Sequence, residues 1–419
     1  MSLFHEAVKE RLLRYARIDS QSGRISGPGP STPCQRDMAT ELCAELRRIR
    51  VPDVFYDEAA CIVYGRIPSS RGVTAEPLAF ITHMDTAPDV SGHDVRPWVL
   101  DNYDGKDILL NREKHIVMKA DEHPVLKQYI GQDLVLTDGT TLLGGDDKAA
   151  ISAVMTLAEH LLTHPEIPHG PVCLAFTPDE EVGGLARELD LDRLGARFAY
   201  TLDGDHVGWY QDQTFNAAAA VLEINGVSVH TGTAKGLMIN ASDLAVEFLN
   251  MLPAEEKPQF TEGTDGFYHV CSVSSACERA RVELIVRDFD SACFVSRLDF
   301  LASCAEELDR RYGAGTARLT VTEQYRNMGQ ILSRYPFLTD LLRQAIADCG
   351  LEPVCEPFRG GTDGAALTFR GLPCPNLSAG YENAHGKYEF VPVQAMEKNV
   401  EILLSLCRLW TGAGAFPEP

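Results

Sequence analysis

The chain has 419 residues, of which 45% are apolar and 23% charged. That is material for roughly two or three folded domains and argues against disorder. Sixty Asp and Glu against 38 Lys and Arg give a formal charge of -22, which repels nucleic acid and anionic membrane surfaces. The excess acid also leaves carboxylates available for a cation site.

The N-terminal stretch Met1 to Arg14 sets Leu3, Phe4, Val8, Leu12 and Leu13 among His5, Glu6, Lys9, Glu10 and Arg11. That is an amphipathic helix rather than the continuous apolar core of a signal peptide. No apolar run reaches the roughly 18 residues needed to span a bilayer. The 12 cysteines form no Cys-x-x-Cys pair and many sit in apolar runs, as Cys173 does, so they read as reduced thiols. A cytoplasmic protein is expected.

Leu78 to Ile81 reads as a buried strand that runs into Thr82-His83-Met84-Asp85. Thr141-Leu142-Leu143 reads as a second strand and ends in Gly144-Gly145-Asp146-Asp147-Lys148. The helix that follows carries Ile151, Val154, Met155, Ala158, Leu161 and Leu162 on one face. Val172 to Phe176 leads into Thr177-Pro178-Asp179-Glu180-Glu181, and Phe198 to Leu202 into Asp203-Gly204-Asp205. Apolar strands ending in acidic or His-bearing loops predict an α/β fold with ligands bound at the strands' carboxyl ends. The stretch Ser91 to Gln132 shows no clear helix and reads as a surface excursion near the cleft mouth.

From about Phe215 the pattern becomes strand, helix, two strands, helix, strand. The elements are Ala218 to Ile224, Leu237 to Leu252, Tyr268 to Val273, Ala280 to Arg287, Ser291 to Arg311 and Ala317 to Glu323. This is the ferredoxin-like β-α-β-β-α-β order. Helical patterns at Phe337 to Cys349 and Val393 to Trp410, with a short strand at Cys374 to Leu377, then resume the α/β material. The expected architecture is an α/β catalytic domain, its mixed central sheet flanked by helices, interrupted by an inserted ferredoxin-like α+β lid. The boundaries are 1–213, 214–326 and 327–419.

Five segments carry chemistry. His83 offers an imidazole to a metal, and Asp85, two residues on, is placed to orient it. Asp146, after two glycines that permit tight backbone geometry, has two oxygens and can bridge two cations. Of the adjacent acids Glu180 and Glu181, one can bind metal while the other takes a proton from water. Asp203 ends a strand, and His385 precedes the last helix. Each segment alone also fits a solvated loop or a helix cap. As a set they supply the imidazoles and carboxylates that zinc prefers. Phosphate-loop, Gly-x-Ser-x-Gly and His-Glu-x-x-His patterns are absent.

Ordered along the chain, HMDTAPD (83–89), LLGGDDKAA (142–150), TPDEEVG (177–183), LDGD (202–205), HTGTAKG (230–236), VRDFD (286–290), RGGTDGA (359–365) and AHGKYEFVP (384–392) resemble the M20 metallopeptidase family. The likeness is closest to its M20B-like tripeptide aminopeptidases and covers nearly the whole chain. The resemblance implies two zinc ions per subunit, bridged by Asp146 and a water or hydroxide. His83 and Asp203 complete one site, and Glu181 and His385 the other. Glu180 is implied as the general base, with Asp85 orienting His83. His230, the lid histidine, and with it Arg287 and Arg359, are implied to meet the substrate. Thr231 stands where relatives have Pro, and Ala384 where they have an aromatic residue.

The implied activity is removal of the first residue from short peptides, tripeptides above all. Recognition of the free α-amino group needs an acidic or carbonyl contact, for which Asp179 is one candidate. An M20 dipeptidase, carboxypeptidase or N-acyl amino acid hydrolase would use the same metal cage, and a non-enzymatic metal or peptide binder is the remaining class. Monomer and homodimer are both open.

Overall fold

The computed structural model describes residues 3–24, 27–184 and 186–412. The chain divides into two units. The first comprises Met1–Asp212, Met328–Glu356 and Thr362–Pro419; the second is Gln213–Asn327 with Pro357–Gly361.

Unit 1 is built on a mixed sheet whose eight strands follow the spatial order Asp53–Asp57, Ile62–Ile67, Val172–Thr177, Leu78–His83, Phe198–Leu202, Asn376–Leu377, Trp209–Gln211, Val354–Cys355. At its centre Leu78–His83 runs parallel to both Val172–Thr177 and Phe198–Leu202. Every residue of these three strands is buried, as expected for parallel strands covered on both faces. The register pairs His83 with Thr177, so the two strands end level and deliver His83 and the 178–181 turn to one edge.

Thr141–Leu143 is not a strand. Its place is explained by where its amides go: Leu143 N–H bonds to the Glu389 carboxylate at 2.7 Å, not to a neighbouring strand. The strand in that region is Leu134–Leu136, which joins Trp98–Leu100 and Val391–Pro392 in a small separate sheet.

The helix Gly145–Thr163 departs from helical geometry at Asp146 and Asp147. Beyond them it is buried along Ile151, Val154, Met155, Leu157 and Leu161, each contributing about 1.5–3 kcal/mol. It packs on His5–Tyr15 and Val393–Gly412. Arg11 of His5–Tyr15 bonds Thr156 and Glu159 of this helix and Glu45 of the helix Gln35–Arg48. This packing anchors the helix whose first turn carries Asp146. Met1 and Ser2 of the expected N-terminal helix lie outside the described residues.

The excursion Ser91 to Gln132 has more order than its sequence pattern suggests. It contains the strand pair Ile108–Asn111 and Ile116–Met118 and a 3-10 turn at Pro124–Tyr129. Tyr103, Ile108, Leu110, Met118, Leu126 and Tyr129 form a local core with Phe390.

Unit 2 has the predicted ferredoxin-like order. Asn216–Asn225 pairs antiparallel with Arg279–Asp288 and Ala317–Tyr325, and Phe267–Ser275 pairs with Arg279–Asp288 on the outer side. Ala218, Ala220, Leu222 and Ile224 point to one face, where Phe248 of the helix Ala241–Met251 and Leu301 and Leu308 of Ser291–Tyr312 complete the core. Asn240 and Asp290 cap these helices through the N–H groups of Ser242 and Cys293.

No described helix is long and apolar enough to cross a membrane. All 12 cysteines are unpaired. Six are buried, whereas Cys271, Cys293 and Cys355 are exposed, so the reading as core thiols holds for only part of the set.

Candidate metal centre

Five segments of unit 1 place their polar groups together around the carboxyl edge of the central strands. His83 is the last residue of its strand. Its Nδ1 lies 3.1 Å from the Asp85 carbonyl oxygen and 3.4 Å from Asp85 Oδ1. Nδ1–H therefore donates to Asp85, and Nε2 faces the site. There Nε2 is 2.9 Å from Asp146 Oδ1. The Asp85 carboxylate also accepts the backbone N–H groups of Glu180 and Glu181 at 3.0 and 3.2 Å. One buried acid thus holds the imidazole and the two-glutamate turn together.

The other side of Asp146 meets His385. Its Oδ2 is 3.3 Å from His385 Nε2, and that nitrogen is 2.8 Å from Glu181 Oε2. His385 Nδ1 faces Asp89 Oδ2 at 3.5 Å. Asp203 accepts from Tyr381 Oη at 2.6 Å. Donor atoms of His83, Asp146 and Glu181 lie within 4.8 Å of one another, as do those of His83, Glu180 and Asp203. Asp179, Asn383 and His385 all have positive φ (62°, 55° and 59°). Such conformations cost roughly 1–3 kcal/mol each and concentrate where function holds the backbone.

The electrostatics suit a cation. Glu181 Oε1 and Asp147 Oδ1 are buried with no hydrogen-bond partner, and an orphaned buried acceptor costs about 1–3 kcal/mol. Burial raises Glu180 well above the usual carboxylate range, and nearby Asp203 adds to this. Burial and Asp146 push Glu181 to about 8. Burial resists the ionisation of Asp146, but His385 and His83 outweigh it and hold the acid low. His385 is raised to about 11 by its bonds to Asp146 and Glu181.

These shifts fix a sign. A carboxyl raised from 4.5 to about 8, as Glu181 is, adds stability below 4.5 and loses it as pH climbs through 8. Glu389, raised by burial to about 7, and Asp363, raised by burial to about 7, act the same way. The raised His385 also loses its contribution as pH climbs. Metal-free protein is therefore expected to melt at progressively lower temperature from about pH 5 to pH 8. Zinc should remove or reverse the trend, because cations favour the ionised carboxylates. Thermal midpoints across this range, with and without zinc, check it.

The family model for peptidase family M20/M25/M40 matches residues 143–409. Peptidase T of Clostridium novyi is 45% identical over 406 residues, covering 97% of this chain and 100% of that one. The chain belongs to the M20 peptidase family. Peptidase T of Desulfitobacterium hafniense is 44% identical over 404 residues, with 96% and 98% of the two chains covered. Among solved structures, a tripeptidase from Staphylococcus aureus has a TM-score of 0.77 at 21% identity, covering 97% of this chain and 99% of that one. The aminopeptidase PepT of Bacillus cereus has a TM-score of 0.75 at 20% identity, covering 97% and 98%.

In an M20 chain, two overlapping groups of His, Asp and Glu donors make a bridged di-zinc centre. The donor chemistry fits zinc, with imidazole and carboxylate at every position. His83, Asp146, Glu180, Glu181, Asp203 and His385 all come from unit 1 and are brought together. His230, Arg287 and Arg359 lie in unit 2. There His230 is exposed, and its Nδ1 accepts the Gly232 N–H at 3.1 Å. Arg287 bonds the Ala218 and Val286 carbonyls and lies over the Tyr325 ring. Arg359 bonds the carbonyls of Gly263 and Asp265 and the Thr261 hydroxyl, against Phe215 and Phe267.

Asp179 does not serve as the α-amino contact. It is buried, and its oxygens are filled by Ser31 N–H, Ser31 Oγ and Gln35 Nε2 at 2.7, 2.5 and 2.7 Å. Its acidity braces the turn before Glu180 instead.

Three acids of this M20 site escape a reading of the sequence: Asp89 beside His385, Asp363 bonded to Thr177 at 2.7 Å, and Glu389. Each stands within one of the ordered motifs, but an acid whose partner lies on a distant loop, a side chain for Asp89 and Asp363 and the backbone for Glu389, has no local pattern to mark it.

Proposed function

We propose that this protein is a di-zinc aminopeptidase that removes the N-terminal residue from short peptides, preferentially tripeptides. The observation that carries the reading is the double contact of Asp146, one oxygen to His83 and the other to His385. That is the placement of a carboxylate shared between two cations. In this reading His83, Asp146 and Asp203 hold one zinc, and Asp146, Glu181 and His385 hold the other. Full-length similarity to proteins named peptidase T supports the substrate class.

Bound zinc supplies Lewis-acid polarisation of the scissile carbonyl and acidifies water. The chain's own residues do the rest. Glu180 takes the proton of the attacking water and returns it to the leaving nitrogen. Burial raises its affinity for that proton, and its backbone is fixed by Asp85. Asp85 also fixes the His83 tautomer. His230 is the donor to the carbonyl oxygen as charge develops. With Nδ1 accepting the Gly232 N–H, neutral His230 carries its proton on Nε2, the form that can donate. Arg287 and Arg359 meet the peptide's carbonyl or carboxylate groups. The protein acts in the cytoplasm, on peptides and on neither nucleic acid nor membrane; a homodimer is compatible with this activity but not required by it.

The test is product identity with Met-Gly-Gly and matched di- and tetrapeptides, using metal-stripped and zinc-restored protein. Release of methionine and Gly-Gly, dependent on zinc, is expected. Release of the C-terminal glycine would make the protein a carboxypeptidase, and cleavage confined to dipeptides a dipeptidase.

A further inference from the structure

Glu389 is almost wholly buried, with 2% of its surface exposed. Its carboxylate nonetheless makes no ion pair among the described residues. It accepts three backbone N–H groups instead: Leu143 at 2.7 Å and Gly144 at 2.8 Å on Oε2, and Asp146 at 3.0 Å on Oε1. Two of these donors precede the helix Gly145–Thr163, so the contact is more than a helix cap. It fixes the two residues ahead of the helix and Asp146 itself, while Leu142, one residue earlier, bonds the Ser91 carbonyl.

The same residue sits at the base of the loop that carries His385. Glu382 and Phe390 exchange backbone hydrogen bonds of 2.9 and 3.0 Å, closing residues 382–390 into a loop. Asn383 and His385, both at positive φ, lie within it. Glu389 is next to that closure, and Val391, two residues on, pairs with Val135. One end of Glu389 is therefore fixed to the His385 loop and the other to the Asp146 loop. Its two oxygens together carry these three backbone bonds, so an acceptor lost from either one has no substitute on the side chain.

We propose that Glu389 is a positioning residue that sets the distance between Asp146 and His385, and so the width of the second zinc site. This rests on the di-zinc reading above. Glutamine has almost the same shape but only one acceptor oxygen. Whichever way its amide turns, an NH2 group faces a backbone N–H, and at least one anchor is lost and replaced by repulsion. The Asp146 loop should then drift from His385 while the fold remains.

The experiment is zinc titration of the metal-stripped full chain against a chromophoric chelator. The proteins are the wild type, Glu389→Gln, Glu389→Asp and Phe390→Leu. Phe390 is buried in the separate cluster around Tyr103, so its variant loosens the same segment without touching the Asp146 amides. The proposal expects Glu389→Gln to weaken the second zinc equivalent about 10–100-fold, the usual effect of losing an orienting partner. Phe390→Leu should lower the metal-free melting temperature and keep zinc affinity. Wild-type affinity in Glu389→Gln overturns the proposal, as does an equal loss in Phe390→Leu. If Glu389→Gln does not fold, Glu389→Asp is read in its place, because its shorter reach cannot span both loops; wild-type affinity there overturns the proposal too. A wild type that takes up no zinc at all is seen before any variant is measured, and it sinks the di-zinc reading along with this one.

Discussion

Glu180→Gln is expected to keep both zinc ions and bind peptide while turnover falls about 10²–10⁴-fold, the usual contribution of a general base. Three features make the variant clean. The substitution preserves shape. The Glu180 backbone stays bonded to Asp85. The five proposed zinc ligands are untouched. Glutamine can hold a water by hydrogen bonds but cannot take its proton. Burial, with nearby Asp203, raises the acid above its ordinary value, which strengthens the ionised carboxylate as a proton acceptor. The check is kcat on Met-Gly-Gly alongside zinc content. Unchanged turnover at full zinc occupancy removes Glu180 from the role.

Asp146→Ala is expected to cost more than any other single ligand change. Every other ligand serves one ion in the proposed arrangement, whereas Asp146 serves two. Loss of a mere orienting partner costs about 10–100-fold in affinity, so loss of the shared ligand should exceed about 10²-fold for both equivalents and take activity with it. The effect on the metal-free fold should depend on pH. Burial disfavours a charged His83, and the Asp146 and Asp85 carboxylates outweigh it to raise that imidazole well above 6.5. With Asp146 gone, His83 can shed its proton near pH 8 and the fold loses little. Near pH 5 an imidazolium must stay buried with a weaker partner, and breaking such a pair costs about 3–5 kcal/mol. Melting curves of the metal-free variant at the two pH values, with zinc content by elemental analysis, decide it. Two tightly held zinc ions in Asp146→Ala would end its bridging role.

Much of this centre is legible along the chain because its ligands stand at the ends of strongly apolar strands. Leu78 to Ile81, Val172 to Phe176 and Phe198 to Leu202 are buried throughout, and each runs directly into a His or an acid. The helices of unit 2 and the last helix follow equally clear periodicity. Thr141–Leu143 shows the limit. It is apolar and precedes glycines, as a strand would, yet its Leu143 amide is taken by a carboxylate 246 positions away in sequence and its Leu142 amide by the Ser91 carbonyl. The hairpin Asp53 to Ile67 escapes for another reason: its first strand lies at the sheet edge, only half-buried, and carries a weak alternation, whereas Gln35–Arg48, with Met38, Leu42 and Leu46 on its buried face, has a clear helical period that adjoins no chemistry-bearing motif. Asp179 looks like a free acid in the sequence because its partners, Ser31 and Gln35, come from a distant segment. Partner choice across the fold decides whether an acid is a ligand, a brace or a substrate contact, and sequence spacing does not encode it.

The most direct measurement is anomalous scattering at the zinc edge from crystals grown with zinc. Two strong peaks are expected per chain, one beside His83 and Asp203, the other beside Glu181 and His385, with Asp146 oxygens about 2.0–2.2 Å from each. A single peak, or zinc found only at surface histidines with Asp146 still bonded to both imidazoles, would contradict the account.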